Sequence, residues 1–219
     1  MTTAFDHAFC AGSGRFVGSD GRVERLAVRQ WAGDPDAAVH HLFIEACTGP
    51  TLDIGCGPGR LVGELVTRHI HALGIDVSDE AIRQTRIRGA VALRLDVFDD
   101  LPGSGGWEHA LLADGNIGIG GDPERLLARV RELLSPSGSV LVEVMPRGVG
   151  LVRDQRRLWV QGRYSEPFDW AVVGLDAIHD VARAAGLAVA QVRARDGRHA
   201  VTLVREELSR RAGRSSREE

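Results

Sequence analysis

The sequence predicts an α/β fold in which helices cover both faces of a mainly parallel sheet. Short, almost continuously apolar segments such as 51–54 and 139–144 alternate with helical patterns, which is typical of parallel strands buried on both faces. Near the end of the chain, segments 187–193 and 199–204 are joined by a link so short that only an antiparallel pair can form. The 219 residues, of which 43% are hydrophobic, suffice for one well-buried domain.

Apolar runs and turn signals place the individual elements in order along the chain. The predicted strands are 51–54, 71–76, a third ending at Asp96, 107–113, 139–144, 187–193 and 199–204. The first helix is expected to begin at Asp34 as its N-cap, with Pro35 in the first turn. Further helices are expected directly after the glycines at 55–59, after Ser78, after Asp122-Pro123 and at about 175–185. We expect Ser135 to Gly138 to end the helix that begins after Asp122.

Three segments fall outside this regular pattern. Residues 1–33 are rich in glycine and are expected to form an arm that tucks its aromatic side chains onto the domain, or a lid over a substrate site. The domain itself is expected to span 34–206, with an irregular or hairpin insertion at about 146–173. The charged tail, 207–219, is expected to extend into solvent.

Composition excludes several classes of protein. A net charge of −3 gives no reason to expect a nucleic-acid or acidic-membrane partner, and no apolar run approaches the ~20 residues of a spanning helix. Three sparse cysteines, Cys10, Cys47 and Cys56, do not suggest a disulfide framework, and the N-terminus does not resemble a secretory signal. We therefore expect a cytoplasmic protein of undetermined oligomeric state. No cysteine or histidine spacing is typical of a metal site, so none is predicted.

The stretch TLDIGCGPGR, residues 51–60, carries the strongest functional signal. Glycines after a strand let a ligand approach the backbone closely at the start of a helix. Here Gly55, Gly57 and Gly59 alternate, and Arg60 stands where a dinucleotide fingerprint has its third glycine. Asp53, two residues before the first glycine, would repel a phosphate by its like charge. The pattern therefore favours a nucleoside without phosphates that carries positive charge.

The segment LDIGCGPGR resembles motif I of the class I S-adenosylmethionine-dependent methyltransferases. Their cofactor is an adenosine joined to methionine through a sulfonium, which matches the ligand expected above. The resemblance covers roughly residues 36–145 and implies a Rossmann-like three-layer sandwich with a mostly parallel seven-stranded sheet and an antiparallel C-terminal strand. It also implies S-adenosylmethionine as cofactor, S-adenosylhomocysteine as product and, we expect, a small-molecule acceptor.

The same resemblance assigns roles to acids at the following strand ends. Asp76, 21 residues after Gly55, would bind the two ribose hydroxyls, a role it could equally play in an NAD-binding protein. Asp96 would bind the adenine amino group, with the backbone N–H of Val97 beside it. The residues predicted to contact the cofactor are Asp53, Gly55, Cys56, Gly57, Gly59, Asp76, Val77, Asp96, Val97 and Asp114.

Asp114 and Asn116, after the fourth strand, are the candidates for contact with the acceptor and for catalysis. A general base is needed only if the acceptor loses its proton during attack. Asp114 could instead touch the cofactor alone or cap its loop. The sequence lacks an Asn-Pro-Pro-Tyr-type stretch after the fourth strand, which argues against the members of the resembled family that methylate amino groups of nucleobases, where such a motif cradles the base. It also lacks a clear set of metal carboxylates, which argues against a magnesium-dependent enzyme of the catechol type.

For several of these residues a purely structural role is also possible. Asp53 could cap the turn, and Asp96 could be a solvated acid in a run with Asp99 and Asp100. Cys56 is expected to fill space in the loop without acting as a nucleophile. The arginines at 153–163 could form a solvated face or contact an acidic or aromatic acceptor. Beside a methyltransferase, the alternatives are a catalytically silent module that binds S-adenosylmethionine and an NAD-linked oxidoreductase.

Overall fold

The computed structural model describes residues 4–207 of the chain. Its strands are β1 Arg15–Gly18, β2 Val23–Arg25, β3 Thr51–Ile54, β4 Ala72–Asp76, β5 Ala92–Arg94, β6 Trp107–Leu112, β7 Leu134–Val144, β8 Leu151–Val160, β9 Arg163–Tyr164, β10 Phe168–Val173, β11 Leu187–Arg195 and β12 Arg198–Arg205. Its α-helices are α1 Ala4–Ala11, α2 Val28–Trp31, α3 Ala37–Leu42, α4 Arg60–Thr67, α5 Asp79–Ile87, α6 Pro123–Leu133 and α7 Ile178–Ala184.

Within residues 4–207, seven strands form the main sheet, in the order β11-β12-β7-β6-β3-β4-β5. Strands β7, β6, β3, β4 and β5 are parallel, whereas β12 lies antiparallel to both β7 and β11. Helices cover both faces: α6 and α7 pack on one side, and α3, α4 and α5 pack on the other. The three-layer architecture and the antiparallel strand expected from the sequence are thus confirmed.

Several boundaries differ from the expectation. Strand β5 ends at Arg94, two residues before the predicted end at Asp96, because the carboxylate of Asp96 accepts the N–H of Phe98 in a turn. Helix α3 begins at Ala37, and its N-cap is Asp36, whose carboxylate accepts a bond from Val39 N–H at 2.8 Å. Asp34, the predicted cap, has a side chain that is 98% exposed. Strand β7 begins directly after α6, so that the Ser135 to Gly138 stretch belongs to the strand and is not a separate turn. Glycine in this stretch is required, because a Cβ at Gly138 would meet the backbone oxygen of Trp107 at 2.7 Å.

The corrected N-cap of α3 can be tested directly. We expect Asp36→Ala to lower the free energy of unfolding by about 1 kcal/mol, because the N–H of Val39 loses its acceptor. The matched control is Asp34→Ala, which removes an exposed carboxylate 3.5 Å from an Arg88 nitrogen and should leave stability unchanged. Denaturant unfolding of both variants measures the difference, and equal losses would contradict the assignment.

The segments predicted as an arm and an insertion come together in a second sheet. Among the described residues this small sheet is antiparallel, in the order β10-β8-β1-β2, with β9 paired to β8. The insertion is therefore a hairpin and not irregular, and the N-terminal segment supplies two strands to it. Helix α1 packs against β8 and α5, so it bridges the small sheet and the main domain. Of the predicted tail, residues 208–219 lie outside the described part of the chain.

Candidate active site

A large cleft opens where the strand order of the main sheet reverses. Strands β4 and β5 continue the sheet on one side of β3, and β6 and β7 continue it on the other. In such sheets ligands bind outside the carboxyl ends of the strands at the reversal point. The cleft there has a volume of about 1100 Å³, and the small sheet and α1 close it from the opposite side.

The glycine loop between β3 and α4 lines this cleft and requires its glycines. Gly55, Gly57 and Gly59 have φ angles of 70°, 53° and 83°, in the left-handed region that other residues rarely adopt. A Cβ at Gly59 would meet the Thr85 hydroxyl oxygen at 2.6 Å. That hydroxyl donates a hydrogen bond to the Gly57 carbonyl at 2.9 Å, so α5 holds the loop from behind.

Asp53, in β3 just before the loop, is buried and belongs to the lining of the cleft. Its Oδ2 atom has no hydrogen-bond partner among the described residues. Burial raises the pKa of Asp53 to about 7, and the nearby carboxylates of Asp114 and Asp76 add to the shift, while the Arg60 guanidinium opposes it. A buried acceptor without a partner is costly, and a positively charged donor in the cleft would satisfy it.

Asp76 at the end of β4 and Asp96, two residues after β5, line the same cleft. The two oxygens of Asp76 accept bonds from Gly57 N–H at 2.9 Å and Ser78 N–H at 2.8 Å. Burial nevertheless raises the pKa of Asp76, although these N–H groups oppose the shift. Each carboxylate oxygen can accept a second bond, so both can still receive hydroxyl donors. Asp96 is exposed at the cleft and accepts from Phe98 N–H at 3.0 Å, and Val97 is buried beside it.

Asp114 lies at the centre of an ionic cluster. Its carboxylate is 2.5 Å from Nη2 of Arg60 and 3.2 Å from Nη2 of Arg198. Arg198 also binds Glu143, whose Oε2 accepts the backbone N–H of Asp114 at 2.6 Å. Burial is the largest influence on the pKa of Asp114 and raises it against the opposing charge of Arg60. The cluster ties helix α4, the loop after β6 and strands β7 and β12 together beside the cleft.

Asn116 also connects the loop after β6 to a neighbouring segment of the site. Its Nδ2 atom donates to the carbonyls of Ile54 and Gly55, both at 2.9 Å, which holds the start of the glycine loop. A Cβ at Gly55 would meet this Nδ2 at 2.7 Å. The contacts of Asp114 and Asn116 are those of positioning residues, although both side chains line the cleft. Their role in catalysis stays a prediction.

The other predicted contact residues occupy the same loop region. Cys56 is buried, and burial raises the pKa of its thiol well above the usual range, in agreement with a filler of the loop. Val77 lines the cleft and keeps 41% of its surface exposed. Every residue predicted to contact the cofactor lines the cleft except Gly59, which turns the chain into α4.

The sequence predicted that the aromatic side chains of residues 1–33 pack on the domain or cover a substrate site, but it did not show that they line one side of the cleft together with Phe168 and Trp170. The aromatic wall comprises Phe5, Phe9, Phe16, Trp31, Phe168 and Trp170, which all line the cleft. Four of these were visible in the sequence as scattered aromatics within 1–33, but no spacing placed them beside 168–170. Arg60 and Arg198 were also missed as partners of Asp114, because they lie 54 and 84 residues from it along the chain.

Residues 4–207 were also compared with the requirements of a metal site and of a membrane-spanning helix. In this part of the chain, no group of three His, Cys, Asp or Glu side chains is arranged to hold a metal ion. The helices described there are all too short or too polar to cross a membrane.

Comparison with known proteins agrees with this geometry. Residues 51–138 match the family model described as a methyltransferase domain. This segment contains the glycine loop together with Asp76, Asp96 and Asp114. Residues 51–138 of the chain are therefore similar to a methyltransferase domain.

Individual proteins are similar to this chain over different parts of its length. The chain is similar to a tabtoxin biosynthesis enzyme of Pseudomonas amygdali pv. tabaci, with 37% identity over 93 residues, which is 41% of this chain and 37% of that protein. A S-adenosylmethionine-dependent methyltransferase of Bacteroides fragilis, solved with S-adenosyl-L-homocysteine, superposes with a TM-score of 0.77 at 17% identity, covering 93% of this chain and 96% of that one.

A third similar protein was solved with a small acceptor. It is the 1,6-didemethyltoxoflavin-N1-methyltransferase of Burkholderia thailandensis, in complex with 1,6-didemethyltoxoflavin and S-adenosylhomocysteine. Its TM-score is 0.50 at 18% identity, covering 70% of this chain and 68% of that one. The matched region spans little more than a third of the length of the tabtoxin biosynthesis enzyme.

Proposed function

We propose that this protein transfers a methyl group from S-adenosylmethionine to a small-molecule acceptor by in-line displacement. The observation that carries the proposal is the unpartnered, buried carboxylate oxygen of Asp53 beside the glycine loop. Two of the similar structures described above contain S-adenosylhomocysteine, and one of them also contains a small organic acceptor, which supports the same interpretation.

The residues of the cleft fit this cofactor. Asp53 offers an acceptor for the ammonium group, and Asp76 keeps lone pairs free for the ribose hydroxyls. Asp96 and the N–H of Val97 would face the adenine, with Val77 and Cys56 as apolar neighbours. The carboxylates of Asp53, Asp76 and Asp96 give the site the negative charge that a cation favours and a diphosphate does not.

The chemistry requires little more than alignment. When bound, S-adenosylmethionine would supply a methyl group on a positively charged sulfur, which would keep the electron pair of the broken sulfur–carbon bond while the acceptor atom bonds to the methyl carbon. The task of the protein is to hold the acceptor in line and to exclude water from the cleft. Asp114 and Asn116 hold the loops at the two sides of the strand reversal, which keeps this alignment rigid.

Calorimetric titration with S-adenosylhomocysteine and with NADH tests the proposal. We expect micromolar binding of the first and none of the second, followed by methyl transfer from labelled S-adenosylmethionine to some member of an acceptor panel. Binding of NADH in preference would overturn the proposal in favour of an oxidoreductase. Cofactor binding without transfer to any acceptor across a wide panel would favour the silent binding module.

The raised pKa of Asp53 makes cofactor binding dependent on pH. Because the carboxyl titrates at about 7 and the ammonium group favours its ionised form, affinity for S-adenosylhomocysteine should rise about tenfold between pH 6 and 8. Calorimetry of the wild type and of Asp53→Asn measures this, and the variant should bind weakly at both pH values. A wild-type affinity that stays constant over this range would contradict the role of Asp53.

The raised pKa of Asp53 also makes the stability of the ligand-free protein depend on pH, and this contribution falls with rising pH, whereas the affinity for the cofactor rises. The pKa of Asp53 in the folded state exceeds its ordinary value of 3.8, so the folded protein binds more protons than the unfolded chain between about pH 4 and 7. The contribution of Asp53 to the free energy of unfolding therefore falls as pH rises through this window. Without ligand, Asp53→Asn should be less sensitive to pH in thermal unfolding than the wild type.

A further inference from the structure

We propose that the acceptor is a flat aromatic compound without negative charge, which binds against the aromatic wall of the small sheet. This inference rests on the proposed function, because it identifies the substrate class of the same cleft. It is carried by three observations: the packing of the rings, their place relative to the cofactor loops, and the charge of the cleft.

The aromatic wall is a continuous surface of rings. The centroids of Phe16 and Trp170 are 5.5 Å apart, and those of Phe5 and Phe168 are 5.9 Å apart. Phe5 also lies 6.5 Å from Trp170. Phe9 and Phe16 are buried, whereas Phe5, Phe168 and Trp170 are only partly buried and line the cleft. Ring surface that is exposed inside a concave cleft favours a planar aromatic ligand, which can stack on it or meet it edge-on.

The wall adjoins both loops that would hold the methyl donor. A Cβ placed on Gly57 would lie 3.7 Å from the ring of Phe9, so this ring faces the glycine loop. At the other end, a Cβ on Gly118 would lie 2.6 Å from Nε1 of Trp170. Ile119 forms a bridge to Trp170 as well, which joins the loop after β6 to β10. A ring bound against Trp170 would therefore lie next to the loop that carries Asp114.

The charge of the cleft disfavours an anionic ligand. The carboxylates that line it are Asp53, Asp76, Asp96, Asp114, Glu166 and Asp169. Against these stand Arg60, which is engaged by Asp114, and Arg163, which is exposed. Like charges in a partly dehydrated cleft repel strongly, so a carboxylate or phosphate on the acceptor would weaken its binding.

Four probes test the inference: three share an indole ring and differ in charge, and the fourth is neutral and has no aromatic ring. The full-length protein, saturated with S-adenosylhomocysteine at pH 8, is titrated calorimetrically with indole-3-ethanol (neutral), tryptamine (cationic), indole-3-acetate (anionic) and 2-cyclohexylethanol (neutral and not aromatic). We expect the neutral and cationic indoles to bind at least about tenfold more tightly than the other two probes.

Variants locate the bound ring. Trp170→Leu keeps an apolar side chain but removes the indole, and it should weaken binding of indole-3-ethanol about tenfold while S-adenosylhomocysteine binds as in the wild type. Trp159→Leu on β8 is the matched control, because Trp159 does not line the cleft and carries Arg15 over its ring at 5.2 Å. Phe168→Leu is a second variant of the wall, in case Trp170→Leu fails to fold.

The possible outcomes separate this inference from the proposed function. If S-adenosylhomocysteine does not bind, the proposed function fails. If it binds but indole-3-acetate binds most tightly, or the cyclohexyl probe equals the indoles, the cofactor assignment survives and the substrate class is overturned. Equal effects of Trp170→Leu and Trp159→Leu would show that the wall is only the packed core of the small sheet, which also overturns the inference.

Discussion

A Gly57→Val variant is expected to lose at least about 100-fold in affinity for S-adenosylhomocysteine, which corresponds to about 2.7 kcal/mol of binding free energy. Gly57 lines the cleft with a φ of 53°, and a Cβ there would meet no described atom closer than 3.7 Å. A Cβ at Gly57 would thus make only ordinary contact with the ring of Phe9. The valine side chain would occupy the space in which the cofactor must approach the backbone.

The matched control for this variant is Gly89→Val. Gly89 has a φ of 80°, and a Cβ there would meet no described atom within 4 Å. Both substitutions place valine in the left-handed region, so each should lower the free energy of unfolding by roughly 1–2 kcal/mol. Only Gly57→Val should lose the ligand. Calorimetry and denaturant unfolding separate the two effects, and near wild-type binding by Gly57→Val would place the ligand elsewhere.

The main sheet could be predicted because its signals are local. Strands such as 51–54 are short apolar runs, and Ser78 and Asp122 act as N-caps where the sequence indicates them. Asp53, Asp76 and Asp114 follow from the same logic, since the carboxyl ends of neighbouring parallel strands meet at one edge. The cap of α3 was misplaced by two residues, because Asp34 and Asp36 both flank Pro35 and propensity does not distinguish them.

The small sheet could not be predicted, because its pairing joins segments far apart in the chain. Phe16 on β1 pairs with Leu158 on β8, and no local pattern specifies that register. The same limitation applies to the ionic cluster. In the sequence Arg60 was interpreted as a departure from a glycine fingerprint, and Asp114 as a candidate for acceptor contact and catalysis, without any link between the two. Only the three-dimensional structure shows that the two charges neutralise each other.

We expect Arg60→Met to lower the free energy of unfolding by about 3 kcal/mol. The guanidinium of Arg60 is 3% exposed, and its loss leaves the carboxylate of Asp114 with Arg198 as its remaining ion-pair partner. Breaking a buried ion pair costs roughly 3–5 kcal/mol, and the lower value applies here because the side chain of Asp114 is 23% exposed. The control is Arg83→Met on α5, whose ion pair with Glu80 lies at the surface and should contribute little.

A double-variant cycle and a pH profile show whether the effect comes from the ion pair. Asp114→Asn should partly restore the stability of Arg60→Met, because asparagine removes a carboxylate that has lost its closer cationic partner, and it tolerates the φ of 52° at this position. Arg60 also lowers the pKa of Asp53, so Arg60→Met should move the pH dependence of S-adenosylhomocysteine binding to higher pH. Additive losses in the cycle together with an unmoved pH profile would mean that Arg60 acts by packing alone. Coupled losses together with a shifted profile would establish that one buried guanidinium supports the loop and also tunes the acid that faces the cofactor.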